Sequence, residues 1–514
     1  MEDSQMVVGS SGLIKRHEFV RVLVQCLYSL GYDKTASCLE EESGVSSKSL
    51  KQKLLQQHVL EGDWDGCVNS LDNIVELTEE KRASALFLVF KQCLVEYIRR
   101  GDDFSALNFL RRQIKIRSVD PESVRNLAYL FFSLTSIDNQ DGNDVDFSKM
   151  RQSLVLCLQE ILPPEIVLPG RRLEHLIQTV ISSQIDSCIF HNTQDPVSLY
   201  QDHCCSSNQI PTETVQILTE HRNEVWFVQF SNNGDYLASS SKDRTAIIWK
   251  VHEDGRLTHK HTLIGYDNPV SFLAWSPDDS MLLTCGNPDV LKLWDVETGT
   301  CKHTFGHNEY GVRSCAWFPD SNRLVSGSSD PEMGICIWDC QGTEIKSWRG
   351  TRMPKVIDLA LTPNGKHLVS VVSDKEVWII DFGSNLERTI VEEQVITSMS
   401  MSGDGKNFVV CLNNQEIHLW DLAGNTLQPF KYFGHTQHNF VIRSCFGGLN
   451  DSFIASGSED HKVYVWNRRQ STPVKALCGH SKTVNCVAWN PKRHQMMATA
   501  SDDETIRIWG PARS

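Results

Sequence analysis

The chain has 17 cysteines but no C-x-x-C pair, and no Cys/His run with the spacing of a zinc finger or RING domain. No metal site and no disulfide framework is expected from those spacings. Cysteines in apolar patterns, such as Cys315, Cys445 and Cys486, read as buried thiols in a reducing compartment. Cys204 and Cys205 lie in a polar stretch, which leaves a reactive thiol open there. G-x-x-x-x-G-K-[ST], G-x-S-x-G and H-E-x-x-H are all missing, so phosphate-loop, serine-hydrolase and zincin chemistry have no candidate residues. An N-terminal apolar h-region and any run of 18 apolar residues are also missing, so neither a secretion signal nor a membrane span is expected. Glu2 excludes N-myristoylation. Positive charge is in deficit: 50 Lys+Arg stand against 64 Asp+Glu, a net charge of −14 with pI near 5.7. That balance argues against nucleic acid as a partner. The expectation is a non-enzyme without cofactor or metal, located in cytoplasm and nucleus.

What is present is a repeat. The stretch from Gly479 to Gly510 opens with Gly-His, carries three alternating apolar runs and closes on Trp509. The closing position recurs at Trp249, Trp294, Trp338, Ile380, Trp420, Trp466 and Trp509, with spacings of 45, 44, 42, 40, 46 and 43 residues. That period is the length of one four-stranded propeller blade. A single blade cannot bury both sheet faces, so seven copies must pack side by side in a ring. The chain ends four residues after Gly510, leaving the last copy without an outer strand. Val215 to Leu218 has the alternation of the missing strand (TVQILTEH against PVKALCGH), so the first strand is expected to complete the last blade and leave no open edge.

Polar residues recur at fixed offsets within the copies. Asp243, Asp374, Asp460 and Asp503 stand six residues before the closing position, as does Asn414. His221, His307, His435 and His480 open four copies. His, Asp and Ser repeated in this way could be taken for catalytic triads. Near-copies of one constellation argue instead for a buried hydrogen-bonded network that sets blade geometry. Tyr266 replaces one His, the fourth and fifth copies lack the opening Gly-His, and Ile380 replaces a Trp. Blades four and five are therefore expected to be the least regular. Residues opening each first strand, and those before each turn Asp, should converge on one mouth of the central channel. That set is Glu224, Trp226, Lys242, Arg313, Lys355, Glu459, Asn485 and Asp502. Trp226 and Arg313 are the leading anchors for a peptide or protein partner, the alternative being merely solvated side chains.

The first 190 residues carry helical periodicity instead. Residues 1–12 are small and polar and are expected to be disordered. Val20, Leu23, Val24, Leu27 and Leu30 form a helical stripe, Gly31 suits its end, Asp33 can cap a second helix, and that helix stops near Gly44. Two helices this short bury too little apolar area alone, so pairing with a second copy is economical. Ser49 with Gln52 reads as a capping box. Residues 83–98 form an aromatic-rich helix, and Asp120-Pro121 begins the first of three more, over 121–136, 149–162 and 170–190, with a polar acidic loop at 137–146. Arg111, Arg112, Lys115 and Arg117 form a basic cluster, open to a nucleic-acid, acidic-partner or solvated-face reading.

Leu30-Gly31-Tyr32, Thr35-Ala36, Leu39 and Glu42 resemble the lissencephaly-homology (LisH) motif. The resemblance implies dimerisation through Val20, Leu23, Leu27, Leu30, Tyr32 and Leu39; a hairpin docked on neighbouring helices is the alternative. The run GDW…LFLVFKQCLVEYIRRGDDFSALNFLRRQI resembles the module found C-terminal to LisH (CTLH), and residues 119–190 resemble the CRA extension of such modules. The organisation is thus an α plus all-β multidomain chain: 1–12 disordered, 13–47 LisH, 48–118 CTLH, 119–190 CRA-like, 191–212 linker, and 213–514 a seven-bladed WD-repeat β-propeller. This order, with IASGSEDHKVYVWNRR and EVWFVQFSNNGDYLASSSKDRTAIIW, is similar to the WD-repeat subunits of CTLH (GID-type) ubiquitin ligases, the group of WD repeat-containing protein twenty-six. The resemblance implies a scaffold and substrate receptor, self-associating, bound to sister CTLH subunits and RING partners, and presenting protein substrates. The alternatives are a splicing factor of the same module order and a receptor for a cullin-type ligase. For the latter, Trp466-Asn467-Arg468-Arg469 is the nearest W-D-x-R box. A corepressor of the Topless kind is far longer.

Overall fold

The computed structural model describes residues 7–8, 13–117, 121–135, 147–286, 291–305, 311–330, 334–349, 354–384, 387–426 and 428–512. Most of the N-terminal dozen, the 137–146 loop and His307 lie outside the described residues, as do the side chains of Lys115 and Arg117. The chain forms two compact units, Met1–Ser182 and Ser183–Ser514. No helix among the described residues is long and apolar enough to cross a membrane.

The described helices are α1 (Arg16–Ser29), α2 (Asp33–Ser43), α3 (Leu50–Glu61), α4 (Trp64–Asp72), α5 (Glu79–Arg99), α6 (Asp103–Arg117), α7 (Pro121–Thr135), α8 (Ser148–Ile161) and α9 (Arg172–Ser187). Ser49 caps α3 by accepting from the Gln52 amide at 3.1 Å, and Asp63 caps α4 by accepting from Gly66 at 3.0 Å. Gly44 ends α2 at φ 68°, a left-handed turn open to glycine. Asp33 is the first helical residue of α2 rather than its cap, and no side chain caps that helix. There it places its charge against the positive helix end. The core of this unit gathers Leu55, Val59, Trp64, Leu71, Leu86, Phe90, Leu94 and Leu158. Glu96 is buried within it and receives Arg151 of α8 through two bonds, of 2.6 and 2.9 Å. Arg151 also donates to the Leu60 carbonyl at 2.7 Å, so one bidentate pair ties α3, α5 and α8 together.

The second unit contains, among the described residues, seven four-stranded antiparallel sheets, each made of consecutive strands except the last. The innermost strands are Val225–Phe230, Phe272–Trp275, Val312–Trp317, Val356–Leu361, Ile396–Met401, Ser444–Gly447 and Val484–Trp489. In the seventh blade the outer position is taken by Glu213–Leu218, which pairs with Ile506–Gly510 (Leu218 opposite Ile506, Thr214 opposite Trp509). This is the closure expected from the sequence, with Val215 bulged out of the ladder.

Blades four and five, expected to be the least regular, keep long strand ladders. Blade four pairs Glu376–Asp381 with His367–Val372 over six residues without a bulge. Backbone ladders and apolar packing hold a sheet whether or not its polar network is complete. Ile380 is buried where a Trp was absent. In blade five, Glu392 stands four residues before the inner strand, the place of the missing His. It accepts from Trp420 Nε1 at 2.6 Å and faces His418 Nδ1 at 2.9 Å. A different residue set thus satisfies the same buried indole.

Residues 191–212, expected as a linker, are folded onto blades six and seven. Asn192 is buried; its amide donates to the Gln209 and His494 carbonyls at 2.9 and 2.7 Å and accepts from the Leu449 amide at 2.7 Å. Ile210 is fully buried with Phe453, Met497 and Trp509.

Candidate partner-binding mouth of the propeller

The recurring His, Asp and Ser residues form closed internal chains. In blade one, Trp249 Nε1 donates to Ser239 Oγ at 3.0 Å. Ser239 Oγ lies 2.8 Å from His221 Nε2, and His221 Nδ1 lies 2.9 Å from Asp243. The indole can only donate and the carboxylate only accept, so the hydroxyl donates to Nε2 and the imidazole carries its proton on Nδ1. Blade seven repeats this with Trp509, Thr499, His480 and Asp503 at 2.8, 2.7 and 2.8 Å. Burial pushes both Asp carboxyls up, but bonds from the His and the following Thr win and hold them well below the usual range. Ser239 and Thr499 are wholly buried, so neither hydroxyl is open to a substrate.

Blade six breaks the chain. Tyr464 donates to Asp460 at 2.8 Å, and among the described residues neither ring nitrogen of buried His435 has the carboxylate or hydroxyl partner seen in blades one and seven. Burial pushes the His435 pKa down to about 4. In blade two, Tyr266 does the work of the missing His, accepting from Trp294 Nε1 at 3.0 Å and bonding Thr284.

One local device builds the mouth. The first residue of the inner strand pairs, the second is bulged out, and pairing resumes at the third; the bulged residues are Trp226, Arg313, Ile357, Thr397 and Asn485. A bulge re-aims a side chain out of the ladder. Three of these are among the eight residues selected from the sequence. Ile357 and Thr397 were missed, although they hold the same offset in copies that lack the opening Gly-His.

Five of the eight come together where blade seven meets blade one. Glu224 accepts from Trp226 Nε1 at 3.0 Å and pairs with Lys242 at 2.9 Å. Asn485 donates to Asp502 at 2.7 Å and to the Val225 carbonyl of the next blade at 3.0 Å. Burial raises the Asp502 carboxyl, and the nearby Glu224 charge adds to this. Burial also pushes Glu224 up, but Lys242 and Trp226 outweigh it and lower its pKa. Arg313 and Lys355 are exposed on blades three and four. Glu459 is differently placed: one of its oxygens accepts from the amides of His438, Asn439 and Phe440 at 2.7–3.0 Å, so it fastens the loop that precedes the inner strand of its blade.

Below this rim the channel is crossed by a charged pair. Arg443 of blade six donates to Asp358 of blade four at 2.7 Å. Its guanidinium lies 5.2 and 4.8 Å from the rings of Phe227 and Phe272, in blades one and two. Asp358 also accepts from Ser314 Oγ at 2.8 Å and the Met399 amide at 3.1 Å, in blades three and five. The pair itself lines a cavity of about 530 Å³, together with the inner strands of all seven blades, Trp275, Trp317 and Trp489 among them.

One cluster of Cys and His residues escapes the reading of spacings along the chain. The ligand atoms of Cys188, His203 and Cys205 lie within 4.8 Å of one another. A helix end and a returning loop bring them together, which short-range spacing does not reveal.

Comparison with known proteins respects the same division of the chain. The family described as WDR26 Lis-homology domain matches residues 5–49. The family described as IFT122 first beta-propeller matches 184–467, and the one described as WD domain, G-beta repeat matches 471–510. The chain is 45% identical to the "WD repeat-containing protein 26 homolog" of Arabidopsis thaliana over 98% of its own length and 86% of that protein's. It belongs to the WD repeat-containing protein 26 family. Within or beside that family, it is 57% identical to the "WD repeat-containing protein WDS homolog" of Arabidopsis thaliana, covering 99% of this chain and 98% of the relative. It is 34% identical to "GID complex subunit 7" of Schizosaccharomyces pombe, covering 96% of each. The LisH-plus-propeller architecture of the family is the one described above.

Proposed function

We propose that the chain is a non-catalytic scaffold and substrate-receptor subunit of a GID-type ubiquitin ligase in cytoplasm and nucleus. It self-associates through α1 and α2, joins sister and RING-bearing subunits through its helical unit, and receives protein segments at the propeller mouth. The observation that carries this is the apolar stripe of the first helices. Val24 and Ala36 are fully buried between α1 and α2, whereas Leu30 and Tyr32 are 58% and 60% exposed, and Val20, Leu23, Leu27 and Leu39 are only half covered. The opposite edge of α1 is docked: Arg21 donates to the Glu165 and Ile166 carbonyls at 2.9 and 2.7 Å. The hairpin is thus held on the helical unit while its stripe faces outward, which favours a second copy as its cover. A relative named for a GID complex, similar over nearly its whole length, supports the assembly.

The cullin-receptor reading is disfavoured by the Trp466-Asn467-Arg468-Arg469 box. Arg469 pairs with Asp186 at 2.7 Å and Asn467 donates to the Ile189 carbonyl at 3.0 Å, so the box is occupied from within the chain. The test is capture of the full chain from cell extract, with and without Leu23→Asp/Leu27→Asp. RING and CTLH subunits should dominate, and the substituted chain should sediment as a smaller species. Spliceosomal proteins or a cullin adaptor in their place would refute the assignment.

A further inference from the structure

The segment leading into the propeller gathers four soft donors. Cys188 comes directly after the last turn of α9, its amide bonded to the Ile185 carbonyl at 3.0 Å. The chain then runs out and returns, and Gln184 pins the return by accepting from the His203 amide at 3.1 Å and donating to Asp202 at 2.8 Å. His203 Nε2 lies 3.3 Å from Cys205 Sγ and 2.9 Å from His191 Nδ1, and His191 Nδ1 lies 3.7 Å from Cys205 Sγ. The Cys205 amide points at Cys188 Sγ from 3.2 Å. The two imidazoles meet edge to face at 77°, so nitrogens rather than ring faces converge.

The two Cys205–imidazole separations, 3.3 and 3.7 Å, are close to those of a tetrahedral shell, whereas the 2.9 Å between the imidazole nitrogens is a hydrogen bond that must open by about 0.5 Å to admit an ion. Metal–sulfur bonds of about 2.3 Å and metal–nitrogen bonds of about 2.05 Å, at tetrahedral angles, place S and N about 3.6 Å apart and two nitrogens about 3.4 Å apart. Two thiolates and two neutral imidazoles are a zinc set; calcium and magnesium take oxygen ligands. Two thiolates also cancel the charge of a divalent ion, so a half-buried site carries no net charge.

We propose that one zinc ion is bound by Cys188, His203 and Cys205, whose ligand atoms already lie within 4.8 Å of one another, with His191 turning in as the fourth ligand, and that it clamps the end of α9 to the loop that Asn192 and Ile210 fasten onto blades six and seven. On binding, the two thiols lose their protons to solvent and form two Zn–S bonds; no redox partner is involved. Cys204, exposed and next to a ligand, is not in the shell.

The test uses the full chain, purified without chelator, with metal counted by plasma mass spectrometry and then replaced by cobalt. The expected result is about one zinc per chain and, with cobalt, thiolate charge-transfer and tetrahedral d–d bands. Cys204→Ser should keep both signals, and Cys205→Ser and His203→Gln should lose both. Folding of each variant is tracked by tryptophan fluorescence, and titration of the folded wild-type chain with cobalt decides the matter if a variant fails to fold. Metal below about a tenth of an equivalent, with no cobalt spectrum on that titration, would overturn the site. So would full zinc content in a Cys188→Ser/Cys205→Ser chain.

Discussion

Replacing Arg443 by Met removes the only cation seen to contact Asp358 among the described residues, at a carboxylate just 2% exposed. Three donors would remain on it: Ser314 Oγ at 2.8 Å, the Leu359 amide at 3.0 Å and the Met399 amide at 3.1 Å. Hydrogen bonds offset part of the desolvation of a buried charge, and breaking such a pair from one side costs about 3–5 kcal/mol. Lost contact with the Phe227 and Phe272 rings adds roughly 0.5–2 kcal/mol. A total near 4 kcal/mol should lower the propeller melting temperature by on the order of 10 °C. Asp358→Asn keeps the shape and most acceptor bonds but strands the guanidinium, so it should also destabilise. Combined, the two changes leave no unpaired charge, and about 2–3 kcal/mol of coupling should be recovered. Denaturant unfolding monitored by tryptophan fluorescence, on the four chains of the cycle, measures this. The wild-type pair should also be insensitive to salt, because it is buried. Single losses under about 1 kcal/mol, or losses that simply add, would refute the idea that this pair braces the ring.

His435 should make the propeller acid-sensitive. Its folded pKa, about 4, lies below the ordinary 6.5. Between those values the unfolded chain binds a proton that the folded chain does not, so stability falls as pH drops from 6.5 to 4, by roughly 3 kcal/mol in all. His435→Gln should flatten that dependence, and parallel pH profiles for the two chains would contradict the assignment. Deleting 213–219 strips the seventh blade of its outer strand and of buried Leu218, worth about 2 kcal/mol in apolar burial alone. The shortened chain should melt several degrees lower and aggregate through the bared 506–510 edge, and an unchanged melting curve would speak against the closure. Leu23→Asp/Leu27→Asp should shift sedimentation of the full chain toward a smaller species, and an unchanged sedimentation profile would remove the dimerisation claim.

How much of this could be read in advance depends on the range of the interactions. The helical stripe over Val20–Leu30, the cap at Ser49 and the 43-residue recurrence of Trp are local patterns. Each is set by neighbours within one helix turn or one blade, and a repeat architecture is assembled from such nearest-neighbour terms. Blade count and strand closure were therefore available from the amino-acid order alone. The bulge positions Trp226, Arg313 and Asn485 could be picked out in the same way, because the bulge recurs at one offset.

The remainder depended on contacts between residues far apart in the chain. Glu392 gave no sign that it would replace a His, because any acceptor of suitable reach satisfies a buried indole. Glu459 looked like a mouth carboxylate, yet three loop amides claim it. Tyr464 captures Asp460, so His435 lacks the carboxylate bond that His221 and His480 keep. Arg443 meets Asp358 across the channel only once seven blades have closed, and Cys188 meets His203 and Cys205 only once the loop has folded back. Local pattern determined which elements form and in what number. Tertiary packing alone decided which polar side chains are satisfied, which are left without partners, and which stand close enough to share an ion, because those outcomes depend on distances that no sequence period encodes.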